Sequence, residues 1–468
     1  MKRFRERYIG DRTFYKMVLL LIVPMVIQQG VTSFVSLLDN VMVGAMGTAE
    51  MSGVAIANQL IFVLNLAIFG GISGASIFGA QFFGLGDMKG MRNTMRFKLI
   101  FGVVITVIAI FILLFAGPNL VNLFLDNEAN AGTDTSITLG HAMDYIRMII
   151  WGLIPTMLVA VYSGTLREAG ETVVPMIGSV SAIFINLFFN YALIFGHFGL
   201  PRMGVTGAAL ATVIARFVET AVVLIYTHLN TKKFPFVRGL YRSMKVPAAL
   251  VKRIAITGTP LMLNELFWSL GNTFINQSYS TRGLEVVAAM NIQSTAWQLF
   301  SIIMMAMGNA VSILVGQQLG AGNVEEAKAT DRKLLFFTTA VHLGIGALVI
   351  ASAGLVPMLY NTEQTVRDLA KGFLMVAGLT LPIHAFIHVA YFTIRSGGKT
   401  FITLLFDSVY TWVVPVVLCL CLCRFTALPI ITVFLIVQCS DLIKLFIAVP
   451  MLSSGFWANN VVNDVSQK

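Results

Sequence analysis

Apolar residues run along this chain in long, almost unbroken stretches, separated by short segments that collect most of the charge. Twelve stretches can be drawn, at 17–46, 51–83, 97–124, 141–165, 173–196, 204–228, 254–280, 286–319, 334–359, 372–394, 401–423 and 428–452. Each reaches the roughly 20 residues a helix needs to cross a bilayer. Many exceed that length, which predicts tilt or bending. Pro24, Pro155, Pro260, Pro382 and Pro415 fall inside the stretches, where the missing backbone donor allows a kink. The pattern predicts an all-α integral membrane protein with twelve transmembrane helices.

Composition agrees. Of 468 residues, 57% are hydrophobic and only 12% charged, about half the charge of a soluble domain. Soluble enzymes, disordered chains and nucleic-acid binders are thereby excluded. The net charge of +10 changes the picture through its placement. If the first stretch starts on the cytoplasmic side, 24 Lys and Arg lie on that side and 6 on the other, with Arg216 and Lys444 inside spans. Positive residues stay inside, so both termini are expected in the cytoplasm of a multi-pass inner-membrane protein. The basic start (Lys2, Arg3, Arg5, Arg7, Arg12 and Lys16) leads into an apolar run that passes Pro24 with no A-x-A site. It reads as the first transmembrane helix rather than a cleaved signal. The four cysteines suggest no disulfide framework, and the alternation of Cys419, Cys421 and Cys423 matches no metal signature.

The chain also repeats. A shift of 236 residues places Pro24 on Pro260, Asn40 on Asn276, Gln81 on Gln317, Gly84 on Gly320 and Gly86 on Gly322. A shift of 228 places Arg167, Gly170 and Thr172 on Arg395, Gly398 and Thr400. Six stretches separate equivalent positions, so the expected plan is two parallel, pseudo-symmetric six-helix bundles, a transporter architecture. The divisions are an N-terminal lobe at 1–228, a basic cytoplasmic linker at 229–253 and a C-terminal lobe at 254–468.

Several segments carry a family resemblance: VPMVIQQGVTSFVSLLDNVMVGAMG, QFFGLGD, LREAGET, NLFFNYALIFGHFGLPRMGVTGAALAT, VGQQLGAGN and TIRSGGKT. In this order and spacing, over essentially the whole chain, the sequence resembles the multidrug and toxic compound extrusion (MATE) family. The resemblance implies two six-helix lobes and efflux of organic cations driven by entry of sodium or protons.

Ionisable residues inside the membrane mark candidate chemistry, because burying charge in lipid is costly. Asp39 lies deep in the first stretch without an obvious local cation, and reads as an ion or proton site unless it reaches water at the outer end. The resemblance adds its partners. Asn186 and Asn190, four apart, share a helical face, as do Ala208 and Thr212. Together with Asp39 they form an oxygen-rich set for sodium or a proton relay, although the two Asn could equally be interhelical glue. Some family members have a carboxylate at the position of Asn190, so this site holds one formal negative charge.

Glu265, in NELFWSLGN beside Phe267 and Trp268, could take up a proton or pair with a cationic substrate. One bacterial branch of the family has a functional Glu in this region together with an acid in the tenth span. Here no carboxylate occurs between Lys371 and Lys399. His384 and His388, four apart, offer either a proton relay or hydrogen-bonded packing. Asp407 is expected to reach the interface, and the pairs Asp441/Lys444 and Arg216/Glu219 to neutralise one another locally.

The expected function is secondary antiport of amphipathic organic cations against sodium or protons. A lipid-linked glycan flippase of similar plan is the alternative, but its cavity should hold several cations for pyrophosphate. No enzyme is expected, since no catalytic cluster is visible. The GLGD and GAGN loops lack the Lys-Ser/Thr of a nucleotide cradle, so neither nucleotide nor nucleic acid is an expected partner. No cofactor beyond the coupling ion, and no metal beyond a sodium ion at the Asp39 site, is expected; the bilayer is a partner, and a monomer is expected.

Overall fold

A computed structural model describes residues 6–125 and 135–463, leaving aside the side chains of Leu37, Asn40 and Val41. Lys2, Arg3, Arg5 and Lys468, which enter the charge count, lie outside the described residues. Among the described residues the regular elements are helical: α1 (Arg12–Gly44), α2 (Thr48–Leu85), α3 (Met88–Phe115), α4 (Gly117–Leu125), α5 (Ser136–Glu168), α6 (Val173–Phe195) and α7 (Val205–Leu229). After short 3₁₀ turns come α8 (Ala248–Ser280), α9 (Leu284–Phe300), α10 (Ile302–Gly320), α11 (Val324–Ser352) and α12 (Gln364–Ser396). The chain closes with α13 (Thr400–Phe425), α14 (Ile430–Cys439) and α15 (Asp441–Ser454).

Eleven helical segments among the described residues, counting α14 and α15 together as Ile430–Ser454, are long and apolar enough to cross a membrane. The remaining stretch, 254–280, lies on α8, which is 33 residues long but interrupted by polar side chains such as Asn264, Glu265, Asn272 and Asn276. Three expected spans are broken: 97–124 divides at Ala116 into α3 and α4, 286–319 at Ser301 into α9 and α10, and 428–452 at Ser440 into α14 and α15. Within α13 the backbone widens into π turns at Leu405–Val409 and Trp412–Val416, around Asp407 and Pro415. Such turns leave backbone groups off the regular ladder and recur at functional positions.

The chain divides into two compact units. One comprises 1–26, 80–87 and 252–468, and the other 27–79 and 88–251. In the first, Val18, Leu21, Ile22 and Met25 of α1 pack with Met307, Val311 and Leu314 of α10 and Ala390 and Ile394 of α12. Helices α11 and α12 meet at glycines. A Cβ at Gly346 would lie 2.4 Å from the Gly378 carbonyl oxygen, and one at Gly378 2.8 Å from that of Gly346. Close backbone approach of this kind is how helices gain van der Waals contact where lipid supplies no hydrophobic drive.

The repeated Gln-x-x-Gly-x-Gly motif makes a reciprocal contact in the same unit. A Cβ at Gly84 would sit 1.9 Å from the Gln317 carbonyl oxygen, and one at Gly320 would sit 1.9 Å from that of Gln81. The outer glycines do a different job: Gly86 and Gly322 have φ of 78° and 82°, a region that side chains with a Cβ resist. The Gln81 side chain then ties down the C-terminal segment. Its amide donates to the carbonyls of Ser396 (2.9 Å) and Asn459 (3.1 Å), and its oxygen accepts from the Val461 N–H at 2.7 Å.

In the second unit the linker is lashed to α3. Arg92 donates to the carbonyls of Phe236 (3.0 Å) and Pro235 (3.3 Å), and Arg96 to those of Leu240 (2.9 Å) and Gly239 (2.7 Å). Phe234, Phe236 and Leu240 are buried beneath it. Nearby, the Glu171 carboxylate accepts a hydrogen bond from the Lys233 ammonium and holds its pKa above the ordinary lysine value.

Many of the cations counted as topology signals lie on helices that extend past the apolar stretches. Lys98 of α3 is fully buried and ion-paired with Glu168 at the end of α5, while Arg167 and Arg395 lie in the last turns of α5 and α12. Lys98 lies one residue inside the stretch at 97–124, on a helix that starts at Met88.

Two predictions follow from packing. Gly84→Ala and Gly320→Ala must displace backbone, whereas Gly86→Ala meets open space and incurs only a left-handed conformation, about 1–2 kcal/mol. Thermal unfolding of the detergent-extracted protein should therefore rank Gly84→Ala and Gly320→Ala below Gly86→Ala; equal losses would remove the reciprocal contact. Lys98→Met removes the ammonium that offsets the buried Glu168 carboxylate and should lower stability by about 3–5 kcal/mol. Adding Glu168→Met should recover most of that loss, read as a rise in midpoint over the single variant.

Candidate functional site

The second half of α1 carries Asp39, and its carboxylate meets two amides from α6. Asn190 donates through Nδ2 to Asp39 Oδ1 at 2.7 Å and to Asn186 Oδ1 at 3.1 Å. The Asn186 amide has two settings. In one, its nitrogen donates to Thr212 Oγ1 at 3.2 Å. In the other, which satisfies both ends of the group, its nitrogen donates to both Asp39 oxygens at 3.1 Å and its oxygen accepts from Thr212. In the first setting Thr212 Oγ1 is free to give its one proton to the Ala208 carbonyl at 3.1 Å. All five residues expected from the sequence are thus brought together.

Both asparagines are buried, and the Asn190 side-chain oxygen is a buried acceptor with no hydrogen-bond partner among the described residues. Buried polar atoms are normally satisfied, so an orphan acceptor beside a carboxylate fits a hard cation. Two members of the cluster escape sequence reasoning. Tyr145 of α5 lies beside Thr212 and donates to Asn58 Oδ1 of α2 at 3.3 Å. Only their being polar groups in otherwise apolar runs could have flagged them.

Asp39 has no ion-pair partner among the described residues. Arg216 acts on it at range, but the guanidinium is bonded to Glu219 Oε2 at 2.7 Å, the local pair expected from the sequence. That pair continues inward: Ser179 donates to Glu219, Gln28 donates to Ser179 at 2.6 Å, and Arg167 donates to the Gln28 oxygen at 2.9 Å.

The second unit-scale polar cluster centres on Asp407, and here the expected pairing is corrected. Lys444 bonds to Asp407 Oδ1 at 3.0 Å, and Asp441 contacts His384 Nε2 at 3.3 Å. The i, i+3 spacing brings Asp441 within electrostatic range of Lys444, but a partner on α13 takes the hydrogen bond. Asp407 also accepts from Asn264 Nδ2 at 3.1 Å, and Asn264 in turn accepts from Ser408 Oγ at 2.7 Å. The Lys444 ammonium lies 5.0 Å from the Tyr410 ring centroid, which adds a cation–π contact.

Glu265 is half-buried beside this cluster, acted on by Arg395 and Asp407. Phe267 and Trp268 are exposed and give it no buried aromatic wall. His384 and His388 take different surroundings: His384 meets Asp441 and the edge of Trp297, whereas His388 packs on Phe392 with centroids 4.9 Å apart.

This pairing can be tested by double-mutant cycles on thermal stability. Asp407→Asn and Lys444→Gln should couple by about 0.5–3 kcal/mol. Asp441→Asn and Lys444→Gln should be closer to additive; the reverse order would restore the local pair.

Comparison with known proteins gives a consistent placement. The MatE family model matches residues 24–192 and 260–421. The chain is 26% identical over 382 residues to a probable multidrug resistance protein NorM of Thermotoga maritima, covering 81% of this chain and 79% of that one. It is 23% identical over 421 residues to a probable multidrug resistance protein YoeA of Bacillus subtilis, covering 89% and 88%. In fold, it is similar to a MOP superfamily transporter from Pyrococcus furiosus, at TM-score 0.83 and 20% identity over 97% of this chain and 99% of that one. It is similar also to the Vibrio cholerae MATE transporter VcmN in its bent form, at TM-score 0.84 and 16% identity over 95% and 97%.

Proposed function

This chain belongs to the MatE family, and from that premise we propose that it is a secondary antiporter exporting amphipathic organic cations in exchange for sodium ions or protons. Its relatives named as probable multidrug resistance proteins support the export half of the reading. The excess of Lys and Arg in alternate loops supports both termini in the cytoplasm and a place in the cytoplasmic membrane. Nothing in the reading requires more than a monomer.

One observation carries the coupling half: the Asp39 carboxylate is held by neutral amides rather than by a fixed cation. A charged acceptor makes stronger hydrogen bonds than a neutral one. While Asp39 is charged, its bond to Asn190 holds the second half of α1 to α6. Neutralising Asp39, by a proton on the carboxylate or by sodium beside it, weakens that hold. For sodium, Asp39, the orphaned Asn190 oxygen and the Thr212 and Ala208 oxygens are the donors this chain offers. Pro24, which lacks a backbone donor inside α1, is the point at which α1 would bend in response. Entry of the ion thereby biases one conformation and its loss another.

Cationic substrate requires a carboxylate that is not already committed. Asp407 is bonded to Lys444, so Glu265 is the better candidate, with exposed Phe267 and Trp268 able to present ring faces to a cation. His384, bonded to Asp441, is the candidate for proton movement in this region, and His388 the candidate to pass it on. Lys98, Arg167, Arg216 and Lys444 are each bonded inside the protein, an arrangement that favours cation export over carriage of a pyrophosphate lipid.

The test uses one purified protein in proteoliposomes, with sodium and pH gradients imposed separately. Asp39→Asn should still bind a cationic dye but export it no faster than empty liposomes under either gradient. Full gradient-driven efflux by Asp39→Asn would remove this residue from coupling. Glu265→Gln should instead weaken dye binding or shift the pH dependence of efflux, at unchanged expression.

A further inference from the structure

We propose that the cavity walled by α11, α12, α15 and the N-terminal segment binds an anionic phospholipid of the leaflet at which the N-terminus lies. The cavity has a volume of about 340 Å³ and shares no residue with the Asp39 site or the Asp407 cluster. It therefore stands apart from the transport reading.

Its lining is polarised along α11. Lys328 and Arg332 come first, followed by Leu335 and Phe336, then Thr339. Positions 328, 332, 335 and 339 recur at helical spacing and so share a face. At about 1.5 Å per residue the face extends roughly 16 Å, cationic in its first turns and apolar beyond. Phe386 of α12 and Val449 and Leu452 of α15 complete the apolar wall, and Arg7 adds a third cation. A headgroup phosphate joined to an acyl chain has the same order of charge and hydrocarbon. Basic pockets at the ends of transmembrane helices are suited to anionic headgroups.

Charge complementarity selects the occupant. The lining holds three cations and one carboxylate, Asp331. That carboxylate is buried and accepts from Thr393 Oγ1, with Arg332 acting on it from the next position. An organic cation would therefore meet net positive charge. The cations are available for a phosphate. Arg332 Nε is a buried donor with no hydrogen-bond partner among the described residues, and the Lys328 pair with Glu325 is an exposed surface pair of little strength. Arg7 lies over Tyr8, 5.6 Å from its centroid, and Tyr8 faces Phe336 at 6.2 Å, which places the third cation beside the apolar wall.

The test is native mass spectrometry of the full chain in detergent, titrated with phosphatidylglycerol or with phosphatidylcholine of the same acyl chains. The outcome does not depend on orientation in the membrane or on transport. Phosphatidylglycerol should bind in preference. The triple variant Arg7→Gln, Lys328→Gln, Arg332→Gln should lose affinity for it on the order of tenfold or more. Lys232→Gln with Arg242→Gln, in the linker, should bind as the parent does. If the triple variant does not fold, Arg332→Gln alone should still show a several-fold loss. Equal binding of the two lipids, or unchanged binding by the folded variants, overturns the proposal. So does displacement of the lipid by equimolar inorganic phosphate, which would make this a small-anion site.

Discussion

A charge carried on a transmembrane helix must find its counterion or its donors within the protein, because hydrocarbon supplies neither. Most of the buried charge here meets that demand with an opposite charge: Lys98 with Glu168, Lys444 with Asp407, Arg216 with Glu219. Asp39 meets it with amides. The difference decides what each group can do. A carboxylate locked to a side-chain cation has little to gain from a mobile one, whereas a carboxylate solvated by neutral dipoles keeps its affinity for a proton or a small ion. Fixed pairs therefore set the positions of helices, and in the proposed cycle the amide-solvated acid is the part that changes state.

The same logic explains where the helices depart from regularity. The π turns of α13 fall around Asp407, where Asn264, Ser408, Thr411 and Lys444 all bond within two turns. Dense side-chain bonding there can satisfy backbone groups that a widened turn releases, which lipid could not do. The lashing of the linker by Arg92 and Arg96 is a further instance, since guanidinium groups supply donors to carbonyls of short 3₁₀ turns.

The twelve-helix plan was legible because lipid leaves a simple mark: a long apolar run for each crossing. The Asp39 cluster was legible through the i, i+4 spacing of its polar residues together with a family resemblance. Partner choice was not. Lys444 lies one helical turn from Asp441, yet bonds to Asp407 on another helix, because spacing gives proximity while packing decides geometry. Lys98 stands at the very edge of its apolar stretch, where a charge passes for a loop signal, and nothing local announces the Glu168 that receives it. Tyr145 and Asn58 were invisible for a related reason: a single polar residue in an apolar stretch names no partner. The breaks at Ser301 and Ser440 carry no Gly or Pro to betray them.

The meeting of Gln81–Gly84 with Gln317–Gly320 has the form of a self-complementary interface, in which position i of one copy touches position j of the other and the converse holds. Internal duplication usually lets one copy vary while the other preserves function. Here it cannot. Each glycine faces main chain, and no exchange of side chains makes main chain smaller. The two copies are bound to the same requirement by each other's backbone, so a lesion in either half finds no redundancy in its twin.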